Sequence, residues 1–157
     1  MPRRRTPVKQ LASRMENELA NLLWEMGYAV VRGPSSGSGV RKRYQPDIVA
    51  VKKGVVIVIE VKKASRGKPV YIPARQVRGL REFAERSGGT AYIAVRLPGG
   101  EWRMHRLGDL PETPSGGAKV AEPESGLRVN VLDEILFPRS HRLTDMVGGS
   151  GARRGLS

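Results

Sequence analysis

The sequence has no cysteine, few aromatic residues and no long apolar run, and these absences exclude several classes of protein. Without cysteine there can be no disulfide framework, no cysteine-ligated zinc site and no thiol catalysis. No apolar run approaches the roughly 20 residues of a membrane span, and the start of the chain lacks the apolar core of a signal peptide. We therefore expect a soluble, cytoplasmic protein that does not associate with membranes.

Acidic residues are scarce in the part of the chain where basic residues are most frequent. The 157-residue chain has a net charge of +13, and residues 1–100 account for all of it, with 20 basic and seven acidic side chains. From Met26 to Arg81 there are thirteen Lys and Arg residues but only two acids, Asp47 and Glu60. Such a segment is typical of a surface that binds nucleic acid, although a basic surface that serves only solubility is the alternative.

Length and composition predict one folded domain between two flanking segments. At 157 residues the chain is long enough for a single hydrophobic core. The first residues are strongly basic, and we expect a flexible arm over residues 1–9. The Gly-rich end of the chain predicts a disordered tail over residues 147–157, and we assign residues 10–140 to the single domain.

Apolar periodicity predicts a mixed α/β domain. Two predicted strands flank the turn Lys52-Lys53-Gly54, so we expect an antiparallel hairpin there. The density of β-branched residues in these strands indicates a sheet that is covered on both faces. The predicted helices are residues 8–26, 73–86 and 131–136, the predicted strands are residues 28–32, 47–51, 55–61, 91–96 and 101–107, and the predicted loops include residues 33–45 and 111–126.

The two acids of the basic segment lie at one end of this hairpin. Asp47 begins the first strand and Glu60 ends the second, near cross-strand register, so the two carboxylates are close enough to share a divalent ion. Lys62 lies two residues beyond Glu60, on the same face of the strand by period-two geometry. Mg²⁺ takes carboxylate ligands, and a metal at a phosphate-binding surface indicates phosphodiester hydrolysis. The alternative is a strand-end carboxylate with a neighbouring lysine, which many basic α/β proteins contain.

Pro46-Asp47 followed by Glu60-Val61-Lys62 resembles the core motif of the PD-(D/E)xK nucleases. The flanking residues resemble more specifically the archaeal Holliday junction resolvases of the Hjc type, in unbroken order from about Ala12 to Arg96, and the resemblance fades beyond residue 100. It is carried by the helix with Glu16, residues 27–32, residues 35–38, Tyr71, Gln76, residues 82–84 and residues 87–89. This resemblance implies a restriction-endonuclease-like α/β core, in which helices flank a mixed central β-sheet.

The resemblance implies roles for residues that composition alone does not single out. Lys62 corresponds to the residue that orients the attacking water, and Ser36 to a serine in a loop that reaches the active centre when DNA binds. Without the family, Glu16 would be interpreted as an exposed helix residue and Ser36 as ordinary loop. The implied catalytic residues are Glu16, Ser36, Asp47, Glu60 and Lys62. The implied metal ligands are Glu16, Asp47, Glu60 and the backbone carbonyl of Val61.

Other basic and polar residues are candidates for DNA contact. Arg32 resembles a phosphate-contacting arginine beside the predicted loop of residues 33–45, which is rich in Ser and Gly and is called the Ser/Gly loop below. Asn17 stands where the family commonly has arginine, so a phosphate contact is lost there or shifted to Arg14. Gln76 matches a glutamine found near sites of this type, and an ordinary polar helix residue is the equally good alternative. The full predicted set is Arg14, Arg32, Ser38, Arg41, Lys42, Arg43, Lys63 and Gln76.

Together with these residues, the resemblance implies a Mg²⁺-dependent endonuclease, with Mn²⁺ as a substitute, that cuts four-way DNA junctions by paired symmetric nicks during recombination and repair. Two coordinated nicks need two active sites, so we expect a homodimer associated with the nucleoid. Tyr92, Ile93 and Val95, with the apolar residues of 131–137, are candidates for the interface, although the terminal segment can instead fold back over its own sheet. The alternative functions are another PD-(D/E)xK nuclease, of restriction or flap type, and a non-catalytic DNA-binding dimer.

Overall fold

The computed structural model describes residues 6–34 and 43–139. Within these ranges the helices are α1 (Pro7–Glu25), α2 (Ala74–Ser87) and α3 (Val129–Leu136). The strands are β1 (Ala29–Arg32), β2 (Ile48–Lys52), β3 (Val55–Lys63), β4 (Val70–Ile72), β5 (Thr90–Arg96), β6 (Trp102–Arg106) and β7 (Ala118–Val120). No helix in the described ranges is long and apolar enough to cross a membrane.

The first helix begins with a threonine cap followed by a proline. The side chain of Thr6 accepts a hydrogen bond from the backbone N–H of Lys9 at 3.4 Å. Pro7 occupies the first helical position, where an N–H would have no intrahelical partner. The predicted helix is confirmed, and it begins at Pro7, one residue before the predicted start. Local capping therefore extends the helix further toward the N-terminus than the apolar pattern indicates.

A five-stranded mixed sheet in the order β1-β2-β3-β5-β6 forms the centre of the domain. β2 and β3 form the predicted antiparallel hairpin, with Ile48 paired to Ile59 and Lys52 paired to Val55. β3 and β5 are parallel, because the connection that contains α2 returns the chain to the end of the sheet at which β3 begins. β3 is therefore a central strand with a hydrogen-bonded neighbour on each side.

Helices cover both faces of the sheet, as the β-branched strands indicate. On one face α1 and α3 pack in a core that includes Leu19, Ile59 and Leu132. On the other face α2 and the small β4–β7 sheet pack in a second core that includes Val58 and Leu80. The predicted α/β fold, with a mixed central sheet flanked by helices, is confirmed.

The small second sheet differs from the prediction. Residues 111–126, predicted to be a loop, contain β7 and a short 3-10 turn at Pro123–Ser125. β7 pairs with β4, a strand that the sequence pattern does not indicate. Each of the two strands is three residues long, which is too short for a period-two pattern to be recognised. Residues 1–5 of the predicted arm and the predicted tail lie outside the described residues.

The apolar residues of β5 that we considered for a subunit interface belong to the subunit's own core. Tyr92, Ile93 and Val95 are 6%, 0% and 0% exposed, because β5 lies between β3 and β6 with packed layers on both faces. In the terminal segment Leu132 is buried and Phe137 packs against the first core. The prediction of β5 as an interface is therefore wrong, and α3 folds back over its own sheet.

Candidate active site

The open end of the β2–β3 hairpin brings the predicted carboxylates together. The pairing of Ile48 with Ile59 puts Asp47, the residue before β2, opposite Glu60 of β3. The backbone N–H of Val61 donates a hydrogen bond to Oδ2 of Asp47 at 2.8 Å, which fixes this side chain against the neighbouring strand. The predicted cross-strand arrangement is confirmed, so the backbone of the hairpin holds the two acids side by side.

The surroundings of the two carboxylates disfavour their negative charges. Glu60 is 5% exposed, and its burial together with the nearby charge of Asp47 raises its pKa to about 7. The pKa of Asp47 is also raised, chiefly by burial, although the N–H of Val61 acts in the opposite direction. Two carboxylates that are this close and this poorly hydrated do not both ionise readily at neutral pH. A bound cation would relieve their repulsion.

Each oxygen of Glu60 has a different neighbour. Nζ of Lys62 lies 3.9 Å from Oε1, as expected for two residues on the same face of β3. The hydroxyl of Tyr44 donates a hydrogen bond to Oε2. Burial and the nearby Glu60 raise the pKa of the phenol, so it remains a hydrogen-bond donor at neutral pH. No sequence signal indicates this role, because a single tyrosine in a predicted loop belongs to no periodic pattern.

Glu16 is an electrostatic neighbour of the carboxylate pair but is bound to an arginine. On α1, Oε2 of Glu16 lies 2.6 Å from Nη2 of Arg32 at the end of β1. The charge of Glu16 contributes to the raised pKa of Asp47. In residues 6–34 and 43–139, however, no three acidic, histidine or cysteine side chains form a group that could hold a metal. The role of Glu16 as a third metal ligand stays a prediction.

Asn17, which departs from the family pattern, has a defined contact. Nη1 of Arg32 donates a hydrogen bond to Oδ1 of Asn17, while Nη2 of the same guanidinium contacts Glu16. Arg32 thus ties β1 to two consecutive residues of α1. An arginine at position 17 would place a second positive charge next to Arg32 in place of this acceptor.

The predicted DNA-binding residues differ in their exposure. Arg14 on α1, Arg43 before the hairpin and Lys63 at the end of β3 are exposed to solvent. Gln76 on α2 is half-buried, and its Oε1 has no hydrogen-bond partner among the described residues. The remaining candidates of the Ser/Gly loop lie outside the described residues, and these are Ser36, Ser38, Arg41 and Lys42.

The fold and the site together define a class of protein. A mixed sheet carries a proline–aspartate step before one hairpin strand and a Glu-x-Lys sequence on the next strand. The functional groups are the carboxylates of Asp47 and Glu60 and the ammonium of Lys62, all at one end of the sheet. This is the arrangement of the PD-(D/E)xK nucleases.

Comparison with known proteins identifies the family within this class. A protein-family model described as "Archaeal holliday junction resolvase (hjc)" matches residues 8–139. The chain is 37% identical over 126 residues to the crossover junction endodeoxyribonuclease Hjc of Sulfolobus acidocaldarius, a match that covers 79% of this chain and 87% of that protein. It is 31% identical over 141 residues to the protein of the same name from Archaeoglobus fulgidus, covering 90% of this chain and 92% of that protein.

Two further matches agree with this family. The crossover junction endodeoxyribonuclease Hjc of Sulfurisphaera tokodaii is 47% identical over 90 residues, a match that covers 57% of this chain and 62% of that protein. Among solved structures, Archaeoglobus fulgidus Hjc, a Holliday junction resolvase from an archaeal hyperthermophile, matches with a TM-score of 0.67 and 34% sequence identity, over 76% of this chain and 98% of that chain. The chain therefore belongs to the archaeal Holliday junction resolvase (Hjc) family and is an endonuclease. The resemblance predicted from the sequence is confirmed, and it continues to residue 139 instead of fading beyond residue 100.

Proposed function

We propose that this chain resolves four-way DNA junctions as a homodimer, by Mg²⁺-dependent hydrolysis of one phosphodiester bond in each of two symmetric strands. The observation that carries the proposal is the pair of carboxylates, Asp47 and Glu60, beside Lys62 in a strongly basic segment. A structural ion pair would balance each carboxylate with a cation in direct contact, whereas the pKa values of this pair are raised. Membership of a junction-resolvase family supports the choice of substrate.

The donor atoms at this end of the hairpin fit Mg²⁺, or Mn²⁺ in its place. Asp47, Glu60 and the backbone carbonyl of Val61 would supply oxygen ligands, and Mg²⁺ commonly takes one or two protein carboxylates together with waters and phosphate oxygens. Lys62, whose Nζ is 3.9 Å from Glu60, supplies one positive charge for two carboxylates, so ionisation of both would need a further cation. When bound, the ion supplies charge neutralisation at the phosphate and a water with a lowered pKa.

The chain's own residues would orient the water and the DNA. Lys62 can direct its ammonium to the attacking water or to a phosphate oxygen, where negative charge develops during hydrolysis. The exposed cations Arg14, Arg43 and Lys63 are available to phosphates on either side of the cleaved bond. Since contacts to phosphates carry no base sequence, the shape of the junction would select the substrate. The chain has only two Trp, four Tyr and two Phe residues for stacking on bases, in agreement with recognition through the backbone.

The homodimer follows from the reaction. A four-way junction is resolved when two strands of like polarity are cut at symmetric positions, and both cuts can fall within one binding event only if two active sites are present. Two active sites related by a two-fold axis match the two-fold symmetry of such a junction. A monomer would instead cut once and release a nicked junction.

Cleavage of three DNA substrates in Mg²⁺ and in EDTA tests the proposal. We expect the wild-type protein to cut a four-way junction and to leave a linear duplex and a flap of the same sequence largely intact, with all cleavage lost in EDTA. Comparable cleavage of the flap or the duplex would favour another nuclease of the same class. Junction binding without cleavage, in either Mg²⁺ or Mn²⁺, would favour a non-catalytic role.

A junction extruded in a supercoiled plasmid tests whether the nicks are paired. Paired nicks within one binding event give a linear product directly, whereas uncoordinated nicks give a relaxed circle first. Sedimentation of the protein without DNA, at micromolar concentration, gives its oligomeric state. A monomer that produces only relaxed circles would contradict the proposed resolvase function.

A further inference from the structure

Tyr44 links the carboxylate pair to helix α2 through two contacts of one side chain. Its hydroxyl donates a hydrogen bond to Oε2 of Glu60, and its ring lies against Gly79 of α2. A Cβ atom built on Gly79 would lie only 2.1 Å from Cγ of Tyr44. The ring therefore occupies a slot that exists only because residue 79 has no side chain.

The glycine at this position is explained by the tyrosine. Gly79 lies inside the 14-residue helix α2, where glycine destabilises the helix relative to alanine. Its φ does not fall in the left-handed region, so the backbone conformation does not require glycine. The requirement is steric, and the ring that fills the space also packs against the second core. Tyr44 is thus held at its ring by α2 and at its hydroxyl by Glu60.

The hydrogen bond from Tyr44 makes the two oxygens of Glu60 inequivalent. Oε2 is occupied by the phenol, whereas Oε1 faces Nζ of Lys62 at 3.9 Å. A glutamate side chain has several rotatable bonds, and holding it in one orientation before the cation arrives lowers the entropy that binding would otherwise lose. Mg²⁺ demands near-octahedral geometry at about 2.0–2.1 Å, so ligand orientation matters to its affinity.

We propose that Tyr44 is a positioning residue of the metal site, which orients Glu60 for the cation without touching the cation itself. This inference rests on the proposed metal-dependent function. Hydrogen-bond partners that orient metal ligands typically change metal affinity by about 10–100-fold. Tyr44 is not among the residues to which the family resemblance assigns a role.

Binding of Mn²⁺ to the Tyr44→Phe protein, titrated by electron paramagnetic resonance of the free ion, tests the inference without relying on cleavage. The substitution keeps the ring in its slot and removes only the hydroxyl, so we expect the Mn²⁺ affinity to fall by about tenfold. Junction cleavage should need correspondingly more metal and should approach the wild-type rate at saturating metal. A purely structural role for the hydroxyl would not produce this separation of metal affinity from maximal rate.

The matched control is Tyr28→Phe at the turn end of the same hairpin. The hydroxyl of Tyr28 also donates to a carboxylate, Oδ1 of Asp133, at 2.8 Å. Its removal should lower the unfolding temperature and leave the Mn²⁺ affinity unchanged. An equal loss of Mn²⁺ affinity in both variants would indicate a general loosening of the hairpin and would overturn the positioning role.

Glu60→Gln separates a failure of this inference from a failure of the proposed function. If Glu60→Gln weakens Mn²⁺ binding and Tyr44→Phe does not, the positioning role is wrong and the metal site stands. If neither substitution weakens Mn²⁺ binding, the metal site itself is wrong, and the inference that depends on it is overturned as well.

Discussion

The two ends of the β2–β3 hairpin contain similar side chains, but only the turn end is balanced in charge by the protein itself. There, Nζ of Lys52 lies 2.9 Å from Oδ1 of Asp133, and the hydroxyl of Tyr28 donates to the same oxygen at 2.8 Å. Lys52 also donates to the backbone carbonyl of Met26 at 2.9 Å and lies over the ring of Phe137. The resulting cluster fastens α1 and α3 to the hairpin.

At the open end a tyrosine again donates to a carboxylate, but the adjacent group is a second carboxylate. Tyr44 contacts Glu60 as Tyr28 contacts Asp133, but Lys62 lies 3.9 Å from Glu60 where Lys52 lies 2.9 Å from Asp133, and Asp47 adds a second carboxylate. The pKa of Glu60 is raised to about 7 as a result of burial and this neighbour. The protein's own side chains therefore balance the carboxylate at the turn end, whereas the open end keeps two adjacent carboxylates, which is where the proposed function places the metal ion.

The largest expected effect is on cleavage, and it should occur only at the open end. Asp47→Asn and Glu60→Gln each remove a metal-binding charge, so junction cleavage in Mg²⁺ should fall by at least about 100-fold. Junction binding in Ca²⁺ should survive, because neither acid attracts DNA. Asp133→Asn, the matched change at the turn end, should keep its cleavage rate at a temperature where the protein is folded. A near wild-type rate for either open-end variant would show that the site is misplaced.

The next largest effect is on stability, and it should occur at the turn end. Asp133→Ala removes the acceptor of both Lys52 and Tyr28, at a site where the side chains of Lys52 and Asp133 are only 16% and 21% exposed. We expect the free energy of unfolding, measured in urea, to fall by roughly 2–3 kcal/mol. Glu134→Ala, on the exposed side of the same helix, should change it by less than about 0.5 kcal/mol. A loss of Mn²⁺ affinity in Asp133→Ala as large as that in Glu60→Gln would contradict the separation of the two ends.

The open end should also make the metal-free protein less stable as the pH rises. Folded Glu60 keeps its proton up to a pKa of about 7, whereas an unfolded glutamic acid loses it at about 4.3. Between these pH values the folded state binds more protons than the unfolded state, so the free energy of unfolding falls as the pH rises. The contribution of protonated Glu60 to stability is lost once the pH exceeds the pKa of the folded state. Thermal unfolding in EDTA between pH 5 and 8 measures this decline, and Glu60→Gln should make the curve flatter. Parallel curves for the two proteins would contradict the raised pKa.

The smallest expected effect is on the salt dependence of junction binding, and it should differ between two exposed lysines at opposite ends of the hairpin. Lys63 lies at the open end and Lys53 in the turn. If Lys63 contacts one phosphate, Lys63→Gln should reduce the slope of log affinity against log salt by about 0.9, and Lys53→Gln should leave it unchanged. Fluorescence anisotropy of a labelled junction in Ca²⁺ measures both slopes. Equal slopes for the two variants would place the DNA elsewhere.

The sequence predicts those parts of this comparison that depend on local pattern. β-branched strands on either side of a glycine turn determine the hairpin, and its register puts Asp47 opposite Glu60. The same alternation puts Lys62 on the face of Glu60. Local rules therefore suffice for the carboxylate pair and its lysine.

The partners of these residues could not be predicted, because they come from distant parts of the chain. The contact between Lys52 and Asp133 joins residues 81 positions apart. Tyr44 reaches Glu60 only because α2 presents a glycine at position 79, and no periodicity encodes such a tertiary contact. The error about β5 has a related cause, since apolar content alone does not distinguish a central strand from a strand at a subunit interface.

The central position of β3 has a consequence for the dynamics of the open end. Glu60 and Lys62 lie on the part of β3 that pairs with β5, just beyond Ile59, where the pairing of β3 with β2 ends. Strands of this kind open to hydrogen exchange only with free energies close to that of global unfolding, whereas edges and termini fray readily. The pairing with β5 therefore ties Glu60 and Lys62 to the centre of the sheet, so we expect the geometry of the carboxylate pair to persist for as long as the domain is folded.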